Sequence, residues 1–420
     1  MIIFRANFNI LRFALIFLGH DGGDLLPLND VLILEIGSSI SGSYCCKILA
    51  DYGANIVKIE TIDGDSIRNE EPFITDSSND DHSTLFLSLN TGKKSISVDF
   101  DNEKSIDIIV QLAQKADVII DGTTPGFLET KGLIFSDLLE RNPSLVITSI
   151  TPYGQSGPNS NWEWSQISLE AFGGNMYVSG DYDGEPMSFG VPLFQYVAGQ
   201  VALSSTMMAL LCADRIGGQY IDVSIAEVVT SCIPYALQYY TYTGAVWGRG
   251  PKDRLLFGVD LWPASNGHVG LSVIRSTDFE EIAAFLGVPE MYEEKFSTPQ
   301  GREENYEELK SLYLNRLQEI DKDDFFHEAH AWRLMASREL NPKELLQCEQ
   351  LIERNYFTNI DHGTLSGLPH VSNVLGLNTT KGIPKEGSPS LGQHSEYILS
   401  TVLNFESDVI RDMKDKGVIK

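Results

Sequence analysis

The sequence predicts an α/β fold: a large, doubly wound (Rossmann-like) domain with a smaller α/β domain beside it. Three observations point there. Short runs of strand length alternate with helical stretches from Val31 to Ile150. Most of those runs are apolar throughout, as strands buried on both faces are. Between Gly244 and Pro263 the composition shifts to Gly, Pro, Arg and Trp, and a charged, helical stretch follows.

The elements follow in order. VLILEI is the first strand, and SYCCKILADYGA has helical spacing with Gly53 placed as its stop. NIVKIE is the second strand, and KSISVDF, with alternating faces, is the third. EKSIDIIVQLAQKA is amphipathic, with Ile106, Ile109, Val110, Leu112 and Ala113 on or near one stripe. DVIID and SLVITSI are the fourth and fifth strands. Strand–helix alternation of this kind gives a parallel sheet covered on both faces, with right-handed connections. Gly190 to Ala213 is apolar, rich in small residues and uncharged, which predicts a fully buried helix. GGQYIDVSIAEVVTSCIPYALQYY then reads as a turn, a strand and another buried helix. NGHVGLSVI reads as a hairpin arm, Asp278 to Glu349 as mostly helical, and the tail from Glu396 as two short helices. No GxGxxG follows a strand and no GxxxxGK[ST] occurs, so neither a dinucleotide nor a P-loop fingerprint is present.

The formal charge of -27 over 420 residues repels phosphate backbones and anionic membranes. Nucleic acid and membrane are therefore not expected partners, and an anionic ligand would need a local basic pocket. The five cysteines, Cys45, Cys46, Cys212, Cys232 and Cys348, show no CxxC and no Cys/His pairing. They read as reduced thiols of a cytoplasmic protein, with no metal site expected. The first twenty residues look superficially like a signal sequence. Arg5, Asn7, Asn9 and Arg12 interrupt the apolar run, and Phe13 to Leu18 is too short to span a bilayer, so an N-terminal extension is expected.

Seven segments, in order, carry a family resemblance. They are VLILEIGSSISGSYCCKILADYGANIVKIE, LNTGKKSISVDF, ADVIIDGTTPGFLETKGL, NPSLVITSITPYGQSGP, GGQYIDVSIAEVV, NGHVGLSV, and SPSLGQHSEYIL with a closing KDKGVIK. The sequence resembles the class III CoA-transferases, the formyl-CoA transferase and carnitine CoA-transferase family, from about Leu26 to Lys420. The resemblance implies a large α/β domain from residues 26–225 and 346–420, a smaller domain with linkers over 226–345, and two chains interlocked as a dimer.

In that family an aspartate attacks an acyl-CoA thioester, CoA leaves as thiolate, and a second carboxylate takes over the resulting mixed anhydride. The family writes the aspartate in a pattern such as P-x-x-D-x-x-A-G. Pro192, Ala198 and Gly199 match, but the aspartate position holds Gln195. An amide oxygen carries no full charge, so Gln195 is not expected to form an anhydride. Nearby Asp181, Asp183 and Glu185 sit in a Gly/Pro-bearing turn and read as solvated acids. Related racemases pair a histidine with the aspartate; the histidine's place falls at Ser165. Coenzyme A or acyl-CoA is the implied substrate. Lys93 and Lys94 keep the family's basic pair for its phosphates, but Gly122 stands for an asparagine, Thr130 for an arginine, and Thr61 at a place often arginine. CoA binding by this chain alone is therefore doubtful. Trp162, Trp164, Tyr177, Tyr239, Tyr240 and Trp262 are candidates to line a cavity, with ordinary packing the blander reading.

Two readings follow from the resemblance. One is the subunit of a heteromer that lacks the aspartate, as in benzylsuccinate CoA-transferases, with a homologous subunit supplying it. The other is a self-sufficient CoA-transferase or acyl-CoA isomerase using other groups, or an acyl-CoA-binding pseudoenzyme.

Overall fold

The computed structural model describes residues 26–74, 83–180, 184–249, 260–272, 276–372, 374–384 and 386–420. The expected N-terminal extension, residues 1–25, lies outside them, as do Asp181 and Asp183. The chain divides into two compact units. One takes in the chain up to Gly173 with Phe189–Ser231 and Asn355–Lys420; the other is Gly174–Ser188 with Cys232–Arg354.

The first unit is built on a six-stranded parallel sheet. Its strands are β1 (Leu32–Ile36), β2 (Asn55–Thr61), β3 (Lys94–Val98), β4 (Val118–Asp121), β5 (Val146–Thr151) and β6 (Tyr220–Ser224), in the order β3-β2-β1-β4-β5-β6. Side chains alternate across it with the strand period of two. Ile33, Ile56, Val118 and Val146 face one layer of helices, and Leu34, Val57, Ile119 and Ile147 face the other. The first layer holds α1 (Ile40–Asp51). α2 (Thr84–Leu89) carries the short TLFLSL turn ahead of β3. The second layer holds α3 (Glu103–Ala113), whose Ile108, Ile109 and Leu112 are buried as its periodicity predicts. The C-terminal tail also packs there through Ile398, Leu399 and Ile410, and its last residue donates from Lys420 N to the Ser97 carbonyl at 3.2 Å.

α4 (Gln166–Phe172) leads to α5 (Leu193–Ile216), which returns across the first layer. α5 is not the fully buried helix that its composition predicts. Ala198, Ala202 and Ala209 face the core, but Val201, Met208 (63% exposed) and Leu211 (74% exposed) stand open on the other side. A helix apolar all round is expected inside a protein; here only one side is covered. By length and composition α5 is the one helix among the described residues that is long and apolar enough to cross a membrane. Its inner side nevertheless packs on the sheet, where Thr206 Oγ1 meets Thr148 Oγ1 at 2.7 Å.

Beyond α5 the chain turns at Gly217–Gly218 into β6. A Cβ at Gly218 would lie 1.9 Å from the Leu145 carbonyl oxygen, so only hydrogen fits where the chain passes β5. Gly218→Ala forces two backbones apart, and urea unfolding should show it about 3 kcal/mol less stable.

The second unit is the smaller α/β body. β7 (Asp260–Ala264), β8 (Gly267–Leu271) and β9 (Ala336–Arg338) form an antiparallel sheet. Helices at Tyr306–Leu317 and Lys322–Ala331 close its core over Val269, Leu309, Tyr313 and Phe325.

Candidate functional site

In an open parallel sheet, ligands bind outside the carboxyl ends of the strands where the order reverses. Here that point lies between β1 and β4. Gly37, with φ +94°, turns the chain out of β1, and a Cβ on it would meet the Gly122 carbonyl carbon at 2.7 Å. Ser39 then caps α1, its Oγ accepting from Gly42 N at 2.9 Å. The space a side chain would need at position 122 is already taken: a Cβ there would lie 2.5 Å from Ser39 Oγ and 2.9 Å from Ser39 Cβ. A small cavity of about 40 Å³ opens beside this crossing, lined by Gly37, Ser38, Glu60, Thr61, Asp65 and Thr123 among others.

Thr61 ends β2 at the cavity edge, its hydroxyl donating to the Gly64 carbonyl at 3.0 Å. Thr130 ends the short helix Phe127–Thr130, exposed, with its hydroxyl on the Phe127 carbonyl at 2.7 Å. Both places read as arginine sites thus hold small hydroxyls bonded to their own turns.

The basic pair divides at the start of β3: Lys93 stands just ahead of the strand and Lys94 is its first residue. Lys93 is buried, and its three N–H donors are occupied: Glu35 Oε2 at 2.6 Å, the Ser43 carbonyl at 2.9 Å and Asn90 Oδ1 at 2.9 Å. Lys94 is half-buried, makes no ion pair among the described residues, and lies 5.9 Å from the Tyr397 ring centre. The register Val57↔Lys94 and Thr61↔Val98 sets Lys94 four residues below the cavity edge, about 13 Å along the strands. The structure therefore gathers Thr61 and Gly122 at the carboxyl ends, and leaves the lysines near the other end of the sheet.

Lys93 belongs to a buried charge network beneath that edge. Lys58 Nζ meets Glu35 Oε1 at 2.7 Å and Asp65 Oδ2 at 2.6 Å. Arg68 grips Glu60 through Nε and Nη2 at 2.8 and 2.9 Å, with Phe86 under its guanidinium. Three acids and three bases balance. Burial pushes the Glu35 pKa upward, but Lys58 and Lys93 outweigh it and bring it down to about 2.

Gln195 is the third residue of α5, its backbone N–H bonded to the Pro192 carbonyl at 3.1 Å. The residue is buried, 9% exposed. The matching Ala198 and Gly199 have a packing role. A Cβ on Gly199 would lie 2.7 Å from the Ser41 carbonyl, so these small residues let α5 rest directly on α1. Ser165, at the racemase histidine's place, is the N-cap of α4 in a reciprocal capping box with Ser168.

Sequence reasoning missed two residues that set the start of α5. Gln166 Nε2 donates to Glu170 Oε1 at 2.9 Å and to the Val191 carbonyl at 2.5 Å, while Glu170 Oε2 accepts from Phe189 N at 3.2 Å. A carboxylate amid the apolar residues of QISLEAF was the available signal. Glu170 is fully buried in this clamp, and Glu185 is exposed in the second unit. Of the aromatic candidates, Trp162, Trp164, Tyr177 and Tyr240 are exposed. Tyr239 stacks edge-on against Trp247, and Trp262 is core, 5.1 Å from Tyr313. No group of three or more His, Cys, Asp or Glu among the described residues could hold a metal ion.

The site is thus a crevice built from Gly37, Ser39 and Gly122 at the carboxyl ends of a Rossmann-like parallel sheet, with the long helix α5 beginning at position 193, two residues before Gln195. The CoA-transferase family III model matches residues 28–395, and the chain belongs to that family. It is 25% identical over 438 residues to human "Succinyl-CoA:glutarate CoA-transferase", covering all of this chain and 99% of the relative. It is 23% identical over 404 residues to the "Succinyl-CoA--L-malate CoA-transferase alpha subunit" of Chloroflexus aurantiacus, covering 95% of this chain and 94% of the relative. In fold it matches the crystal structure of a CAIB/BAIF family protein from Brucella suis, with a TM-score of 0.82 and 24% identity over 90% of this chain and 99% of that one.

Proposed function

We propose that this chain is the non-catalytic subunit of a heteromeric acyl-CoA:carboxylate CoA-transferase, interlocked with a homologous subunit that carries the aspartate. The observation that carries the reading is the neutral amide of Gln195 at the head of α5; among the described residues, the buried acid near the start of that helix, Glu170, is bound into its clamp. In the reaction an aspartate oxygen bonds to the thioester carbonyl carbon, the C–S bond breaks and CoA leaves as thiolate; the thiolate then attacks the aspartyl carbonyl of the mixed anhydride and releases the donor acid as carboxylate. The acceptor carboxylate attacks the resulting aspartyl thioester and frees the thiolate again, and the thiolate takes the acceptor's acyl carbon, returning the aspartate and giving the new CoA thioester. Gln195 cannot begin that sequence. The open Val201, Met208 and Leu211 side of α5 offers apolar surface for a partner to cover. The relative named as an alpha subunit supports a division of labour, and the names of these relatives make succinyl-CoA the CoA donor to propose. Acyl-CoA phosphates would be met by the free ammonium of Lys94 and by the partner's own cations, in the cytoplasm.

The test is co-expression with the aspartate-bearing homologue from the same source. The two chains should co-purify, and transfer of CoA from succinyl-CoA should require both. Robust transfer by this chain alone would sink the proposal.

A further inference from the structure

Two buried imidazoles meet in the segment that brings the chain back to the first unit. β10 (Phe357–His362) and β11 (Leu365–Val371) form an antiparallel hairpin. His362 and His370 are 5% and 8% exposed, and their Nε2 atoms lie 2.8 Å apart. Two ring nitrogens at that distance share one proton. The far side of His362 decides which ring holds it. Its Nδ1 accepts the Ser388 backbone N–H at 3.0 Å, with the Ser388 hydroxyl 3.1 Å away. His362 therefore carries its proton on Nε2 and donates it to His370 Nε2.

We propose that this histidine pair is an acid-released latch that holds residues 386–389 against the hairpin. A second proton on His370 sets two N–H donors face to face. A second proton on His362 removes the acceptor for Ser388. Either event breaks a bond of the latch. What it holds matters for the sheet edge: the Glu386 carbonyl accepts Gly92 N at 3.0 Å, just ahead of Lys93 and Lys94, and the Pro389 carbonyl accepts Arg68 Nη2 at 3.0 Å. Releasing 386–389 therefore loosens the turn that carries the basic pair.

The charged groups around the pair bias it unequally. Lys47 of α1, paired with Asp51, donates to the Val371 carbonyl at 2.9 Å and opposes protonation of His370. Asp361, exposed on β10 and bonded to Ser366 and Gly367, favours protonation of His362; Glu386 stands on the held segment itself. Burial is the largest influence on both rings. It pushes both below the ordinary histidine value, His370 to about 4 with help from His362 and Lys47. Freed rings take protons near 6.5. The closed latch is thus fully favoured above that pH and loses its advantage as pH falls toward 4. Asp51 works the other way, because burial raises it to about 6 and its protonation favours the folded form. A non-titrating variant separates the two effects.

Hydrogen exchange of the Ser388 amide, corrected for the intrinsic pH dependence of exchange, reads the latch directly. In the native chain protection should fall tenfold or more from pH 7.5 to pH 5. His362→Asn with His370→Gln keeps an acceptor in the place of each ring nitrogen, leaves neither ring to titrate, and should hold protection level over that range. His362→Asn alone keeps a non-titrating acceptor for Ser388 and serves if the double variant fails to fold. Protection in the native chain that does not change with pH, or changes equally in the variants, overturns the latch. Stoichiometric zinc uptake at neutral pH that protects the hairpin would make the pair a metal site and overturn it too.

Discussion

Succinyl-CoA incubated with the purified chain is expected to leave its intact mass unchanged in mass spectrometry, with no residue taking up an acyl group. Losing the nucleophile of a covalent mechanism costs on the order of 10⁶ in kcat, which places any residual transfer by Gln195 in the background. The amide stands in the first turn of α5, where the helix dipole would favour an anion, and an aspartate there would remain ionised. Gln195→Asp in the lone chain is nevertheless expected to give no turnover. Lys93 is already committed to Glu35, Ser43 and Asn90, and Thr61 and Thr130 hold their own turns. The two outcomes are separable. An acyl adduct on the native chain refutes the account of position 195. Turnover by Gln195→Asp alone refutes only the account of the phosphate contacts.

Glu35→Gln should lower the stability of the first unit by about 3–5 kcal/mol, the usual cost of stranding a buried charge, since it leaves Lys58 and Lys93 facing a neutral amide. The pH dependence carries a sign. The Glu35 pKa is depressed to about 2, so its stabilising effect is complete above the ordinary carboxylate range near 4.5 and is lost as pH falls through about 2. Urea unfolding should therefore show a constant gap between native and variant from pH 7 to 5, narrowing only in stronger acid. A gap below 1 kcal/mol at pH 7 would mean that the network does not hold the strand ends together.

The sheet was legible because its physics is local. VLILEI, NIVKIE and SLVITSI are short runs of the length and β-branched content that buried strands use, and the helical spacing of EKSIDIIVQLAQKA became a buried stripe of α3. The open side of α5 was not legible. Val201, Met208 and Leu211 have the same composition whether they meet this chain's core or another surface. The two lysines of LNTGKKS read as one basic pair because spacing shows that they are neighbours, but not which of them already meets a carboxylate. Glu35, the partner of Lys93, lies 58 residues earlier and becomes its neighbour only once β1 and β3 flank β2. The His362–His370 contact depends on a hairpin register that shifts at Ile360/His362, which no spacing rule supplies.

The contact between Gly122 and Ser39 gives the lineage a one-way step. Bringing the family's asparagine back at 122 would drive its Cβ into Ser39, and turning Ser39 aside would uncap α1, at about 1 kcal/mol for the lost cap. Neither single change improves on the present protein while position 195 stays neutral. If the chain works through a partner as proposed, an aspartate placed at 195 would still leave this barrier to independent activity, and the contact would favour keeping the partner over dispensing with it.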